Sequence, residues 1–199
     1  MHAWRITASG CAMTAMMMAA GQAGAQDLSY NLYGVPGLID MPNARSAPDG
    51  EIAATLGGFV LQQRGSFTFQ LLPGLSGTFR YTGIDQEDGP GTDGTFDRSF
   101  DLRYKLVNET DILPDIAIGL QDFLGTGDLA SEYIVATKTL ENAGHIPGTF
   151  KLTAGLGWGR LGSSGAIGSP FGGNRPGFVQ GSTGGQLSVD QWFRGPAAP

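Results

Sequence analysis

The sequence predicts an all-β chain: an antiparallel meander forming an outer-membrane-type β-barrel, or the first part of one. Three observations predict it. Segment after segment alternates apolar and polar residues with a period of two, the period at which strand side chains change face. The segments run to about ten residues, the length of a membrane-crossing strand. And they stand behind an N-terminal stretch that reads as an export signal.

That stretch is residues 1–25. Arg5 supplies a positive start, Ile6 to Ala20 is apolar, and Ala23-Gly24-Ala25 is an A-x-A cleavage site. The apolar run falls short of the roughly 20 residues a spanning helix needs. The mature chain is expected to begin at Gln26. Cys11, the single cysteine, would leave with the signal, so the mature part has neither disulfide nor thiol chemistry. Removing Arg5 from the 12 basic residues leaves 11 against 18 acidic ones, a charge of −7. No Lys/Arg run appears, which argues against nucleic acid as a partner.

Residues 26–50 read as an N-terminal lead-in. Pro36, Pro42 and Pro48 exclude a central strand. Tyr30, Leu32, Tyr33, Val35, Leu38, Ile39 and Met41 give the segment apolar surface to pack. It is expected to tuck against or into the barrel.

Residues 51–199 carry the strands. The first runs from Glu51 to Val60, with Gly57-Gly58 as a bulge or bend. The second, Gly65 to Leu72, sets Phe67, Phe69 and Leu71 against Ser66, Thr68 and Gln70. Pro73-Gly74 turns the chain into Leu75 to Ile84, where Leu75, Gly77, Phe79 and Tyr81 oppose Ser76, Thr78, Arg80 and Thr82. After a long loop, Phe96 to Val107 sets Phe100, Leu102, Tyr104 and Leu106 against Ser99, Asp101, Arg103 and Lys105. Residues 108–114 have room for one helical turn. Asp115 to Phe123, Ser131 to Leu140 and Thr149 to Arg160 follow, then a weaker eighth strand, Gln186 to Arg194. Connectors of alternately short and long length fit a membrane barrel. Phe59, Tyr81, Phe123, Tyr133, Trp158 and Trp192 fall near strand ends, where an aromatic girdle sits. The turn-like ending Gly195-Pro196-Ala197-Ala198-Pro199 leads to the expectation that the barrel is incomplete here. A soluble β-sandwich or lipocalin-like barrel alternates in the same way with the faces reversed, and remains the competing fold.

No catalytic constellation emerges, and the chain is expected not to be an enzyme. Asp85 to Gly94 is an acidic, glycine-rich loop, but its spacing departs from an EF-hand and a solvated hairpin explains it. Gly157-Trp158-Gly159-Arg160-Leu161-Gly162 satisfies G-x-G-x-x-G without the helix a dinucleotide site requires. His145, the histidine of the mature part, sits in a turn-like context. No metal site and no cofactor are expected. The candidate functional side chains are the charges on the polar strand faces: Arg80, Asp101, Arg103, Lys105 and Lys151. In a barrel they would line the lumen, pair across strands and offer hydrogen bonds to a polar polymer. The same parity turns Tyr81 and Trp158 outward, toward lipid.

Several strings are similar to the YjbH family of outer-membrane proteins associated with exopolysaccharide. They are Asn31 to Ala44, Asp97 to Tyr104, Gly119 to Gly127, Gly155 to Gly162 and Asp190 to Pro196, spread over nearly all of residues 30–196. The resemblance implies a β-barrel envelope protein with outer-membrane lipid around it. It implies exopolysaccharide and other polysaccharide export proteins as partners, and no catalytic residues. Family members are several times longer, and the likeness is to their N-terminal portion. Some carry a lipoprotein signal, from which Ala23-Gly24-Ala25 departs. The competing function is a soluble periplasmic glycan-binding or glycan-processing β-protein.

Overall fold

The computed structural model describes residues 28–59, 62–84, 95–127, 129–142, 147–177 and 189–199. The signal segment 1–25, the Asp85 to Gly94 loop and His145 lie outside the described residues. The described chain is all-β. One large antiparallel sheet holds the strands β3 (Ile52–Phe59), β4 (Gln62–Leu72), β5 (Leu75–Ile84), β6 (Thr95–Val107), β7 (Asp115–Gly125), β8 (Ser131–Glu141), β9 (Thr149–Gly159) and β10 (Ala197–Ala198). They lie side by side in chain order, an eight-stranded meander that is not closed into a barrel. A separate two-residue hairpin, β1 (Gly37–Leu38) and β2 (Met41–Pro42), precedes it.

The register follows the period-two pattern. Phe79 stands opposite Phe100 and Thr78 opposite Asp101 across β5 and β6, so apolar meets apolar on one face and polar meets polar on the other. On β4, β5 and β6 the buried face carries Ser66, Thr68, Gln70, Ser76, Thr78, Arg80, Thr82, Asp97, Ser99, Asp101 and Arg103. The opposite face exposes Phe67, Phe69, Leu71, Tyr81, Phe100, Leu102 and Tyr104. The polarity of an ordinary soluble sheet is therefore inverted. The seven long strands span 8–13 residues, against roughly 9–11 for a membrane-crossing strand.

What buries the polar face is the lead-in, residues 28–50. Asn31 shapes it: its side-chain oxygen accepts the N–H groups of Tyr33 (2.9 Å) and Val35 (3.2 Å). That loop drives Tyr33 and Val35 down against the sheet, 5% and 2% exposed. Gly34, at φ 79°, lies so close that a Cβ would stand 2.3 Å from the Ser66 hydroxyl. Gly57 is packed beneath Leu32, whose side chain would lie 3.0 Å from a Cβ there. β3 stays in register through Gly57 and Gly58, so neither makes a bulge, and Gly57 is the one that admits the lead-in.

A bulge sits on β7 instead, one of three register shifts among the described strands. Pairing with β6 shifts between Phe100 and Leu102, and Asp122 adopts φ 50°. Residues 108–114 are a bend with no helix; Thr110 and Leu113 bond each other. The described part of the expected eighth strand, residues 189–194, is a 3-10 turn (Val189–Gln191) followed by Phe193 at φ 59°. Left-handed backbone there breaks an extended run, and the strand that pairs with β9 is β10.

The stretch after β9 folds over the outer face at one end of β8 and β9. Trp158 is fully buried between Phe171 and Phe193, at 5.6 and 5.2 Å between ring centres. Glu132, beside Trp158 in the register, is bonded by Arg175 at 2.6 Å and by the N–H of Phe193 at 3.0 Å. Here the expected outward Trp158 meets protein.

Candidate functional site

The polar face is where the chain concentrates its chemistry. Its centre is an ion pair on neighbouring strands: Arg80 on β5 donates to both carboxylate oxygens of Asp101 on β6, at 2.7 and 3.2 Å. Both side chains are buried, at 0% and 2% exposed. The β7 bulge adds a third member, because it turns the Asp122 N–H onto Asp101 at 2.8 Å. A buried pair of this kind holds only when its remaining hydrogen-bonding capacity is met. Here Arg80 also donates to the Tyr33 carbonyl oxygen at 3.2 Å.

Tyr33 is the hub of the contact between lead-in and sheet. The guanidinium carbons of Arg64, Arg80 and Arg160 lie 4.2, 4.9 and 4.0 Å from its ring centre. Guanidinium groups at such distances are attracted by the negative ring face, more strongly where water is excluded. Arg64 also donates to the phenol oxygen at 3.1 Å. Arg160, just past β9, forks onto Asp40 with two bonds of 3.0 Å. Farther along the face, Arg103 donates to the carbonyl oxygens of Asn43 (2.9 Å) and Arg45. The N–H of Ala44 reaches the Thr137 hydroxyl at 2.8 Å.

The five charges expected on the polar faces all fall on this side of the sheet. Arg80, Asp101 and Arg103 are sealed beneath the lead-in. Lys105 is partly covered and paired with Asp115 at 2.6 Å. Lys151 lies on β9, exposed, at the edge of a groove of about 230 Å³ shared with Ser29, Leu38 and Asn43. Arg64, Tyr33 and Arg160 were not among the sequence candidates. Arg64 shares the parity of Ser66 and Thr68, and extending the second strand one residue toward its start would have included it. Nothing local marks Tyr33 as the hub; its partners come from three distant elements.

At the rim, Tyr30 donates to Glu51 at 2.9 Å, and burial together with that carboxylate pushes its phenol up from the ordinary value. Among the described residues, no group of three His, Cys, Asp or Glu is placed to hold a metal ion. No helix among them is long and apolar enough to cross a membrane.

A family model named YjbH, described as "Exopolysaccharide biosynthesis protein YbjH", matches residues 29–199. The chain belongs to the YjbH family. It is similar to the uncharacterized lipoprotein YjbH of Escherichia coli strain K12, at 36% identity over 149 residues. That alignment takes in 72% of this chain and 20% of the relative, so the chain spans about a fifth of the relative's length. No solved structure matches. Within the family match, Asn31 to Ala44 is the part of the lead-in that lies on the arginines. Asp97 to Tyr104 carries the Asp101 and Arg103 side chains.

Proposed function

We propose that this YjbH-family chain is a non-enzymatic outer-membrane β-barrel protein, or the first part of one, serving exopolysaccharide assembly or export. The observation that carries the reading is the inverted sheet. A soluble protein does not leave Phe67, Phe69, Phe100, Leu102 and Tyr104 on one continuous open face while burying Arg80, Asp101 and Arg103 on the other. Lipid is the solvent that makes both choices favourable. Hydrogen-bonded strands satisfy the backbone, apolar side chains meet acyl chains, and charges gather on the protected side.

The family description supports polysaccharide as the cargo. The E. coli relative's name, a lipoprotein, supports an exported protein of the envelope. The mechanism is passive. A barrel lined by hydroxyls and paired charges gives a hydrated polymer the hydrogen bonds that lipid denies it. In this reading Arg80, Asp101, Arg103, Lys105 and Lys151 line the polar interior, and other export proteins hand the polymer on.

Density separation of envelope membranes from cells making the full-length protein tests the location. Recovery in the outer membrane after a carbonate wash is expected. Recovery in the soluble periplasm overturns the barrel reading. Deleting the gene should also lower secreted exopolysaccharide; an unchanged yield overturns the export role.

A further inference from the structure

We propose that residues 28–50 form a displaceable plug seated on a glycan track, and that the arginines beneath it recognise an acidic glycan. The inference rests on the polymer-export reading and adds the state of the track and the charge class of its ligand.

The attachment of the segment is that of a plug. β1 and β2 pair with each other and with no strand of the large sheet among the described residues. From Ser29 to Asn43 the segment's backbone bonds close on itself, Asn31 with Val35, Leu32 with Ile39, Gly37 with Ser29 and Asn43 with Pro36; its backbone meets the sheet at Gly50, whose N–H donates to the Gln70 carbonyl oxygen at 3.0 Å. Its hold on the sheet uses the side chains of Tyr33, Asp40 and Arg45, and main-chain groups of Asn43 and Ala44 that meet the side chains of Arg103 and Thr137. A turn at Pro48 to Gly50, with Gly50 at φ 76°, joins it to β3 and is the natural hinge. A segment without a shared ladder leaves as a unit when its side-chain contacts are replaced.

The partners it supplies define what replaces it. Arg64 receives a phenol oxygen and a ring face; Arg103 receives two carbonyl oxygens; Arg160 receives a carboxylate and the same ring face. Arg80 keeps Asp101 when the segment goes. Arg64, Arg103 and Arg160 lose these acceptors together, and guanidinium groups held in a protected site require replacements. A polymer carrying carboxylates along a hydroxyl-rich backbone offers forked acceptors suited to guanidinium geometry. A neutral polymer offers hydroxyls alone.

A buried thiol reports the exchange. Ala44, a lead-in residue fully buried against the sheet, is replaced by cysteine (Ala44→Cys) in the full-length protein in outer-membrane vesicles. Labelling by a membrane-impermeant maleimide follows the released population. The unsubstituted protein, whose described residues hold no cysteine, sets the background. Labelling should be slow alone and rise about ten-fold with an oligogalacturonate, but not with a dextran oligomer of equal length. Tyr33→Ala in the same background should raise the rate without ligand. Thr78→Cys, on the sheet beneath the segment, gives a second reporter with the same expected protection if Ala44→Cys misfolds. Fast labelling of both reporters without ligand, or no response to the acidic oligomer, overturns the plug. An equal response to dextran overturns the acidic class. Because the readout is thiol access and not secretion, these outcomes are separate from failure of the export role.

Discussion

The two faces of the sheet solve opposite problems with the same strands. On β5 and β6 the inner face holds Arg80 and Asp101 in a buried, two-bonded pair, while one residue along, the outer face holds Phe79 against Phe100 with ring centres 5.0 Å apart. Phe100 is 44% exposed and Arg80 not at all. The inner face spends its polar groups on one another and on the lead-in, yet Arg64 Nε, Arg80 Nε, Arg103 Nε and Nη1 and the Tyr133 hydroxyl are buried without a hydrogen-bond partner among the described residues. The outer face does almost nothing for itself; its stabilisation has to come from whatever lies outside. That difference teaches where each face is vulnerable. The inner face fails when one partner of a set is removed; the outer face, under the proposed barrel reading, fails when its contact with lipid is spoiled.

Breaking the outer face should have the largest consequence, because it blocks insertion instead of lowering the stability of an inserted protein. Phe100→Arg places a charge where the proposed barrel meets the hydrocarbon, at a cost of about 2–4 kcal/mol near the midplane. Outer-membrane recovery and heat-modifiable migration of the full-length protein should be lost. Correctly inserted Phe100→Arg protein would show that this face does not meet lipid. On the inner face, Asp101→Asn strips Arg80 of its counter-charge in a site sealed from water. Removing one partner of a buried pair costs about 3–5 kcal/mol, read as a lower urea midpoint for unfolding from vesicles. Replacing both residues by leucine should recover much of that loss, since an apolar pair pays no desolvation. A single substitution as mild as the double one would mean that Arg80 is served adequately by Tyr33 alone.

The contrast between faces was legible in the sequence because it is a local signal. In Leu75 to Ile84 and Phe96 to Val107 the alternation is almost uninterrupted, and it dictates both the strands and their facing. The expected eighth strand fails because the described residues 189–194 pair with no strand; a 3-10 turn and the left-handed backbone at Phe193 turn the chain instead. Gly57 and Gly58 looked like a bend, since a glycine that admits Leu32 and one that relaxes a strand look identical in one dimension. The central pair of the candidate site came out of strand parity. The Tyr33 hub did not, because Arg64, Arg80 and Arg160 are brought to one ring by three separate elements. Trp158 has the outward parity the pattern assigned, yet the segment that covers it lies far along the chain.

That covered corner is the exception within the outer face, and it sharpens the comparison. Glu132 is an acidic residue on the largely apolar side, held by Arg175 and by the N–H of Phe193. Glu132→Gln removes the charge while keeping the shape. Charge-assisted bonds of this kind contribute about 1.5–3 kcal/mol. The expected result is faster proteolysis within residues 160–199, with β4 to β6 still inserted. Loss of insertion altogether would mean that the corner is part of the sheet's foundation and not a local clasp.

The smallest effect lies at the rim, where the two faces end. Glu109 sits in the bend after β6. Burial works to raise its pKa, but the Thr139 N–H and hydroxyl, Arg45 and Lys138 outweigh it and hold the carboxyl below the usual range. A carboxylate whose folded pKa is depressed adds stability that is present above its unfolded pKa of about 4.3 and is lost as pH falls through the folded value. Stability of the wild-type protein should therefore decline on the acid side of that point, and Glu109→Gln should flatten that limb slightly while leaving neutral pH little changed. Arg45 gives this small effect a second reading. It also pairs with Asp115 at 3.5 Å, so Glu109 and Asp115 together anchor the far end of the lead-in. If the acid limb is unaltered in Glu109→Gln, Asp115 and not Glu109 carries that anchor.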